Sequence, residues 1–238
     1  TPIEKINNYL NPNKEYKKQK YKIKKFNSLI MNKICFGYNS KNIFIKNLDF
    51  KINKNDFVGI KGSSGSGKTT LLYLLIGLLK PTSGKILLNN LSNYNHFKLN
   101  IGLVSQNPYL INDTLKNNIA FGVERKKISE TKIFKLLKLM NLDELSNNPK
   151  KSLDFMIDEN ASNISIGQAQ RISIARCLYF DPDIIVLDEP TSSLDKKNED
   201  KVFEILNKLK NNKTIIIISH KSKIFKNCNK IIDLDKKF

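Results

Sequence analysis

Gly62-Ser63-Ser64-Gly65-Ser66-Gly67-Lys68-Thr69 combines glycines, hydroxyls and one lysine at a spacing suited to holding phosphates. In the pattern G-x-x-x-x-G-K-[ST], successive backbone N–H groups converge on an anion, and glycines leave room for its approach. The lysine reaches the outer phosphates, the threonine hydroxyl suits Mg²⁺, and Thr70 follows directly in the same site. A Ser/Gly linker is the bland alternative. Against it, the run follows the apolar stretch Phe57–Ile60 and precedes Leu71–Leu79, of strand and helix length respectively. A helix opening near Gly67 points its positive end at the same anion.

Ile184–Leu187 supplies the second half, because it ends in Asp188 and Glu189. An apolar strand in an α/β sheet presents ligand-binding groups at its C-terminal end. There Asp188 can hold Mg²⁺ through water, and Glu189 can orient and deprotonate an attacking water. Two adjacent carboxylates on a loop are unremarkable by themselves; the phosphate loop gives them a purpose.

The elements needed to position these groups are readable from periodicity. Leu29–Phe36 and Ile43–Phe50 form a hairpin pair around Gly37-Tyr38-Asn39-Ser40, and Phe57–Ile60, Ile86–Leu88 and Ile101–Val104 are further strands. Leu71–Leu79 is a buried helix stopped by Pro81. Ile133, Phe134, Leu136, Leu137 and Met140 fall at helical spacing, and 107–164 contains no strand run. Then follow a helix over 166–180, the strand Ile184–Leu187, an amphipathic helix (Val202, Ile205, Leu206, Leu209) and the strand Ile215–Ile218. Bare apolar strands alternating with helices imply a parallel sheet covered on both faces. The fold class is therefore α/β: a mostly parallel core, an N-terminal antiparallel β portion and an inserted helical portion at about 107–164. Residues 1–27 are polar and read as a linker or arm, with the domain proper at 28–238.

The net charge of +19 is compatible with a nucleic acid or an anionic membrane as partner. A general excess of Lys and Asn explains it more simply, since only 14–25 is a dense basic cluster. With Tyr16 and Tyr21 as its only aromatics, that cluster lacks a base-stacking ladder, so no nucleic-acid partner is expected. Three widely separated cysteines lack metal-ligand spacing and suggest a reducing compartment. No apolar run reaches the length of a membrane span, and the start carries no signal peptide. The chain opens on Thr1, which suggests a piece of a longer polypeptide.

Across about residues 29–235 the sequence resembles the nucleotide-binding domain of ABC transporters, a P-loop NTPase fold. Asn163-Ile164-Ser165-Ile166-Gly167-Gln168, just before Asp188, is similar to that family's LSGGQ signature. Ile164 replaces Leu and Ile166 replaces the first Gly. Independently of the family, Ser165 followed by Gln168 is a capping-box pattern that opens a helix able to face an anion. The resemblance implies ATP and Mg²⁺ as cofactors, Glu189 as the base with His220 as switch histidine, and Lys68 on the phosphates. It implies Thr69, Gln106 and Asp188 around the metal, with Gln106 also coupling to the membrane part. It also implies Tyr38 stacked on adenine, and Ser165, Gly167, Gln168 and Asp195 acting across the interface of a head-to-tail pair.

Asn107–Gly122 resembles the exporter form of the segment after Gln106, and Glu159 stands where exporters carry an acidic loop. The resemblance implies a motor on the cytoplasmic face of a membrane. Its partners would be a transmembrane domain and a second nucleotide-binding domain, identical or related. A single cassette with no coiled coil between Lys68 and Asp188 speaks against a soluble relative acting on ribosomes or DNA. The intact Glu189 and His220 speak against a non-catalytic cassette.

Overall fold

The computed structural model describes residues 26–38, 43–91, 99–142, 145 and 149–236. The basic cluster at 14–25, nearly all of the expected arm and the turn residues Asn39 and Ser40 lie outside the described residues. The expected α/β architecture is present.

Two sheets carry it. β1 (Ser28–Phe36) pairs antiparallel with β2 (Ile45–Asn53) on one edge and with β4 (Ser83–Leu88) on the other, in the order β2-β1-β4. The second sheet is parallel throughout. It comprises β3 (Phe57–Lys61), β5 (Ile101–Val104), β6 (Ile184–Asp188), β7 (Thr214–Ile218) and β8 (Lys230–Asp233), in the order β5-β6-β7-β3-β8.

Side-chain alternation along the parallel strands divides the interior in two. Val58, Ile60, Ile184, Val186, Ile216 and Ile218 face α1 (Lys68–Leu75) and the antiparallel sheet, sharing a core with Leu71, Leu74, Met31, Leu48 and Leu88. Phe57, Ile185, Leu187, Ile215 and Ile217 face the opposite side. That side is covered by α5 (Ile166–Tyr179) and α6 (Lys196–Leu209). The same core extends into the stretch after β5, which holds α2 (Leu115–Ile119), α3 (Glu130–Leu139) and α4 (Pro149–Leu153). As the sequence implied, the described residues of 107–164 form no strand, only the bridge Thr114–Met156.

Several boundaries differ from the sequence reading. Phe36 pairs with Ile45, so the second strand starts two residues later than Ile43 and runs to Asn53. α1 ends at Leu75, not Leu79. Gly77 turns at φ 78°, and the N–H groups of Leu78 and Leu79 return to the Tyr73 carbonyl, which closes the helix well before Pro81. β8 and the short α7 (Ser222–Phe225) were not foreseen, because Ile231-Ile232 is too brief a run to register as a strand. Burial pushes the thiols of Cys177 and Cys228 up to about 12, which keeps both unreactive.

Arg171 ties the helical portion to the core. Its side chain is 1% exposed. Nη1 donates to the carbonyls of Met140, at 2.9 Å, and Asn141, while Nε donates to Gly167 O at 3.3 Å. The first two lie at the C-terminus of α3, where carbonyls lack intrahelical partners and a cation is favourable. Arg171→Met should leave these buried carbonyls unsatisfied and cost about 2–4 kcal/mol. Urea denaturation should show a lower midpoint at unchanged slope, and an unaltered midpoint would refute this role.

Candidate functional site

Strand order brings the chemistry together. β6, β7 and β3 are neighbours and parallel, so their C-terminal ends open on one edge. β3 leads into the phosphate loop, β6 into Asp188-Glu189, and β7 into Ser219-His220. The pairing continues one step past the strands: Glu189 N donates to Ile218 O at 3.0 Å, and Ser219 N to Ile60 O at 3.3 Å. A cleft of about 430 Å³ lies on this edge, lined by Tyr38, Phe44, Ser64, Gly65, Gly67, Lys68, Thr69, Thr70, Glu189 and His220.

Gly67 caps α1 at φ 94°, and a β-carbon there would come within 2.8 Å of the Phe44 ring. Both facts require glycine. Lys68 is buried and donates to the carbonyls of Gly62 at 3.0 Å and Ser63 at 2.8 Å, spanning its own loop. Thr69 is exposed into the cleft, whereas Thr70 is buried and bonded at 3.0 Å to the Tyr38 hydroxyl. Tyr38 itself is 66% exposed, with its ring stacked on Phe44 at 5.9 Å. Phe44 was missed by the sequence reading. Its signal was an aromatic at the far end of the same hairpin turn.

The carboxylates are arranged asymmetrically. Glu189 Oε1 lies 2.8 Å from His220 Nε2, with the Glu189 side chain 20% and the His220 side chain 50% exposed. Glu189 adopts φ 46°, a left-handed conformation that costs a non-glycine residue about 1–3 kcal/mol and aims the carboxylate at the histidine. Asp188 is partly buried. That burial, followed by the charge of Glu189, holds its carboxyl above the ordinary 3.8, with Lys68 acting in the opposite direction.

The donor set fits Mg²⁺ only in part. Asp188 and Thr69 offer hard oxygen ligands, and Asp188 carries an undercompensated charge. No cluster of three or more His, Cys, Asp or Glu side chains that could hold a metal exists among the described residues. Such a site suits a cation that arrives with phosphate oxygens completing its shell.

Gln106 does not line the cleft. Its Nε2 donates at 3.2 Å to Ser192 Oγ, which donates at 3.1 Å to the Glu189 carbonyl. A side-chain relay thus connects Gln106 to the backbone of Glu189.

Ser165, Gly167, Gln168 and Asp195 are likewise absent from the cleft wall. Ser165 caps α5 in a complete capping box: Gln168 N donates to Ser165 Oγ at 3.2 Å, and Ser165 N to Gln168 Oε1 at 2.9 Å. Ser165 and Ile166 are exposed and Gly167 is buried. A β-carbon on Gly167 would fall 2.5 Å from the Asn198 side chain, which explains the glycine. Asp195 caps α6 by accepting from Asn198 N at 2.9 Å, and these bonds hold its carboxyl below the usual range.

A family model described as ABC transporter matches residues 45–192. The chain is similar to a putative export ATP-binding/permease protein of Rickettsia typhi, at 37% identity over 215 residues, or 88% of this chain and 37% of that protein. It is also similar to the ATP-dependent lipid A-core flippase of Idiomarina loihiensis, at 36% identity over 213 residues, or 87% of this chain and 36% of that protein. It thus spans little more than a third of the length of these curated relatives. Among solved structures, that of a bacterial Atm1-family ABC exporter with ATP bound matches at TM-score 0.75 and 29% identity, over 88% of this chain and 37% of that one.

The raised pKa of Asp188 gives a stability test. A carboxyl whose folded-state pKa lies above its unfolded value costs stability when ionised. That cost is absent below about pH 3.8, grows as pH rises through the raised value, and is complete at neutrality. Asp188→Asn should therefore melt higher than the parent chain at pH 7 without metal, by about 2–4 °C, with the gap closing below pH 4. A lower melting temperature at neutral pH would show that Asp188 stabilises the fold instead.

Proposed function

Because the chain belongs to the ABC transporter family, we propose that it binds and hydrolyses ATP as the motor domain of an exporter, at the cytoplasmic face of a membrane. The observation that carries this reading is the division of the motifs. Ser64, Gly65 and Gly67 to Thr69 of the phosphate loop line one cleft with Glu189 and His220, while Ser165 stands exposed on a helix N-terminus outside it. A second copy, or a related partner, placed head to tail would bring that N-terminus onto the terminal phosphate. In this reading residues 28–238 are the nucleotide-binding domain, with the helical subdomain at about 107–164 and the arm at 1–27.

Lys68 exchanges its two loop carbonyls for the β- and γ-phosphates of ATP, and the loop amides surround them. Thr69, Asp188 and, after rearrangement, Gln106 would hold Mg²⁺, which when bound spreads the phosphate charge. Glu189 takes a proton from water, and His220 orients that water and the γ-phosphate. Tyr38 provides a ring for the adenine. Hydrolysis removes the phosphate shared across the interface, and the pair opens.

Coupling to a transmembrane partner is supported by a groove beside the edge strand β5. It measures about 430 Å³, like the nucleotide cleft, and is lined by Leu103, Tyr109, Arg176 and Phe180 among others. Leu103 is 49% and Tyr109 75% exposed, and Ser105 joins the groove just before Gln106. The described residues contain no helix long and apolar enough to cross a membrane. The cargo would be chosen by the transmembrane partner.

Light scattering of Glu189→Gln tests the pairing. With hydrolysis blocked, MgATP should convert monomer to dimer, and adding Ser165→Arg should abolish the shift. ATP binding without any shift would retain the nucleotide site and exclude the homodimer. Lys68→Ala should lose both affinity and turnover, and unchanged values would overturn the assignment.

A further inference from the structure

The chain's last described residues run beside the entrance to the phosphate loop, one residue against one. Lys61 registers with Asp233 across β3 and β8, and its Nζ lies 3.0 Å from the Asp233 carboxylate. Leu234 N donates to Lys61 O at 2.9 Å, and Leu234 packs where a β-carbon on Gly62 would come within 3.2 Å of it. Asp235 then closes on Ser63. Ser63 N lies 2.9 Å from both carboxylate oxygens, and Ser63 Oγ donates to Oδ1 at 2.8 Å.

Ser63 is thus held from two directions. Asp235 takes its donors, while Lys68 Nζ takes its carbonyl at 2.8 Å. The second hold is temporary, because Lys68 must leave the carbonyls to meet a phosphate. The first does not compete with ligand, since Ser63 is not part of the cleft wall. When Lys68 departs, the Ser63 carbonyl keeps its bond from Ser66 N, at 3.2 Å, while both donors of Ser63 remain with the C-terminal stretch.

We propose that Asp235 is a positioning residue for ATP binding: it clamps Ser63 so that the amides from Ser64 to Thr69 stay converged while Lys68 transfers to the phosphates. This rests on the nucleotide reading above. A carboxylate behind a phosphate site repels the ligand slightly, so what Asp235 contributes is acceptor capacity, not charge. Its Oδ1 accepts from both Ser63 N and Ser63 Oγ. Asparagine can present an oxygen at that position, giving up only the second acceptor that Ser63 N finds in Oδ2, and alanine presents neither.

The test is titration calorimetry of the 238-residue chain with MgATP, alongside melting curves, for the parent, Asp235→Asn, Asp235→Ala and Lys68→Ala. Asp235→Ala should raise Kd about tenfold, and Asp235→Asn should stay within about twofold of the parent, both with melting temperatures little changed. Turnover at saturating ATP should be retained in both. Parent-like binding by Asp235→Ala would overturn the clamp, with Lys68→Ala still weak and the nucleotide reading intact. Equal weakening of both Asp235 variants, with lowered melting temperatures, would reduce Asp235 to general scaffolding and overturn it too. If the parent binds no better than Lys68→Ala, the nucleotide reading fails and the clamp falls with it.

Discussion

Adjacent parallel pairing of β6, β7 and β3 is the constraint from which the site follows. Parallel strands must return through a crossover, so each one ends on the same edge as its neighbours. Neighbouring strands lie about 4.8 Å apart, which sets the scale at which their terminal side chains meet. The continuation of the ladder through Glu189 N to Ile218 O and Ser219 N to Ile60 O holds this spacing beyond the strands. A different strand order would leave Glu189, His220 and the loop as three unrelated turns. With this order, a left-handed backbone at Glu189 suffices to bring its carboxylate onto His220.

The second constraint is the rigidity of α1. Eight residues are too few to form a stable helix in isolation. Its stability comes from burial, since Leu71, Leu72, Leu74 and Leu75 are all at most 1% exposed between the two sheets. The phosphate loop inherits that rigidity at its C-terminal side. Phe44 against Gly67 and Tyr38 on Thr70 add an aromatic wall from the antiparallel sheet. The N-terminal side of the loop is supported by β3 with its neighbours β7 and β8, and by Asp235 just past β8. The antiparallel sheet is therefore part of the site, because it fixes both the helix and the wall on which a base would rest.

Elements with strong local signals were legible. The isoleucine-rich strands read correctly because burial on both faces demands unbroken apolar runs. The capping box at Ser165 and Gln168 read correctly because it is set by residues three apart. The end of α1 was misplaced because an apolar Leu78-Leu79 continues the pattern while Gly77 breaks the backbone. Leu78 is in fact 69% exposed. β8 escaped because four residues with two isoleucines carry too little period, and its place is decided by pairing with β3, far away in sequence. Gln106 was placed on the metal by resemblance, whereas its contact with Ser192 depends on a loop conformation that no spacing rule contains.

The relation of Gly167 to Asn198 completes the physical account of the exposed helix end. Asn198 bonds Asp195 twice, through N at 2.9 Å and Nδ2 at 2.7 Å. The same side chain fills the space that a β-carbon on Gly167 would need. The first turns of α5 and α6 therefore share one amide as a spacer, and neither can shift without displacing it. Packed interiors deform in discrete steps and not continuously. The two helix ends are thus in contact through the Asn198 side chain, without any bond between the two caps. Glycine at 167 is required by this contact alone, whatever anion the helix faces.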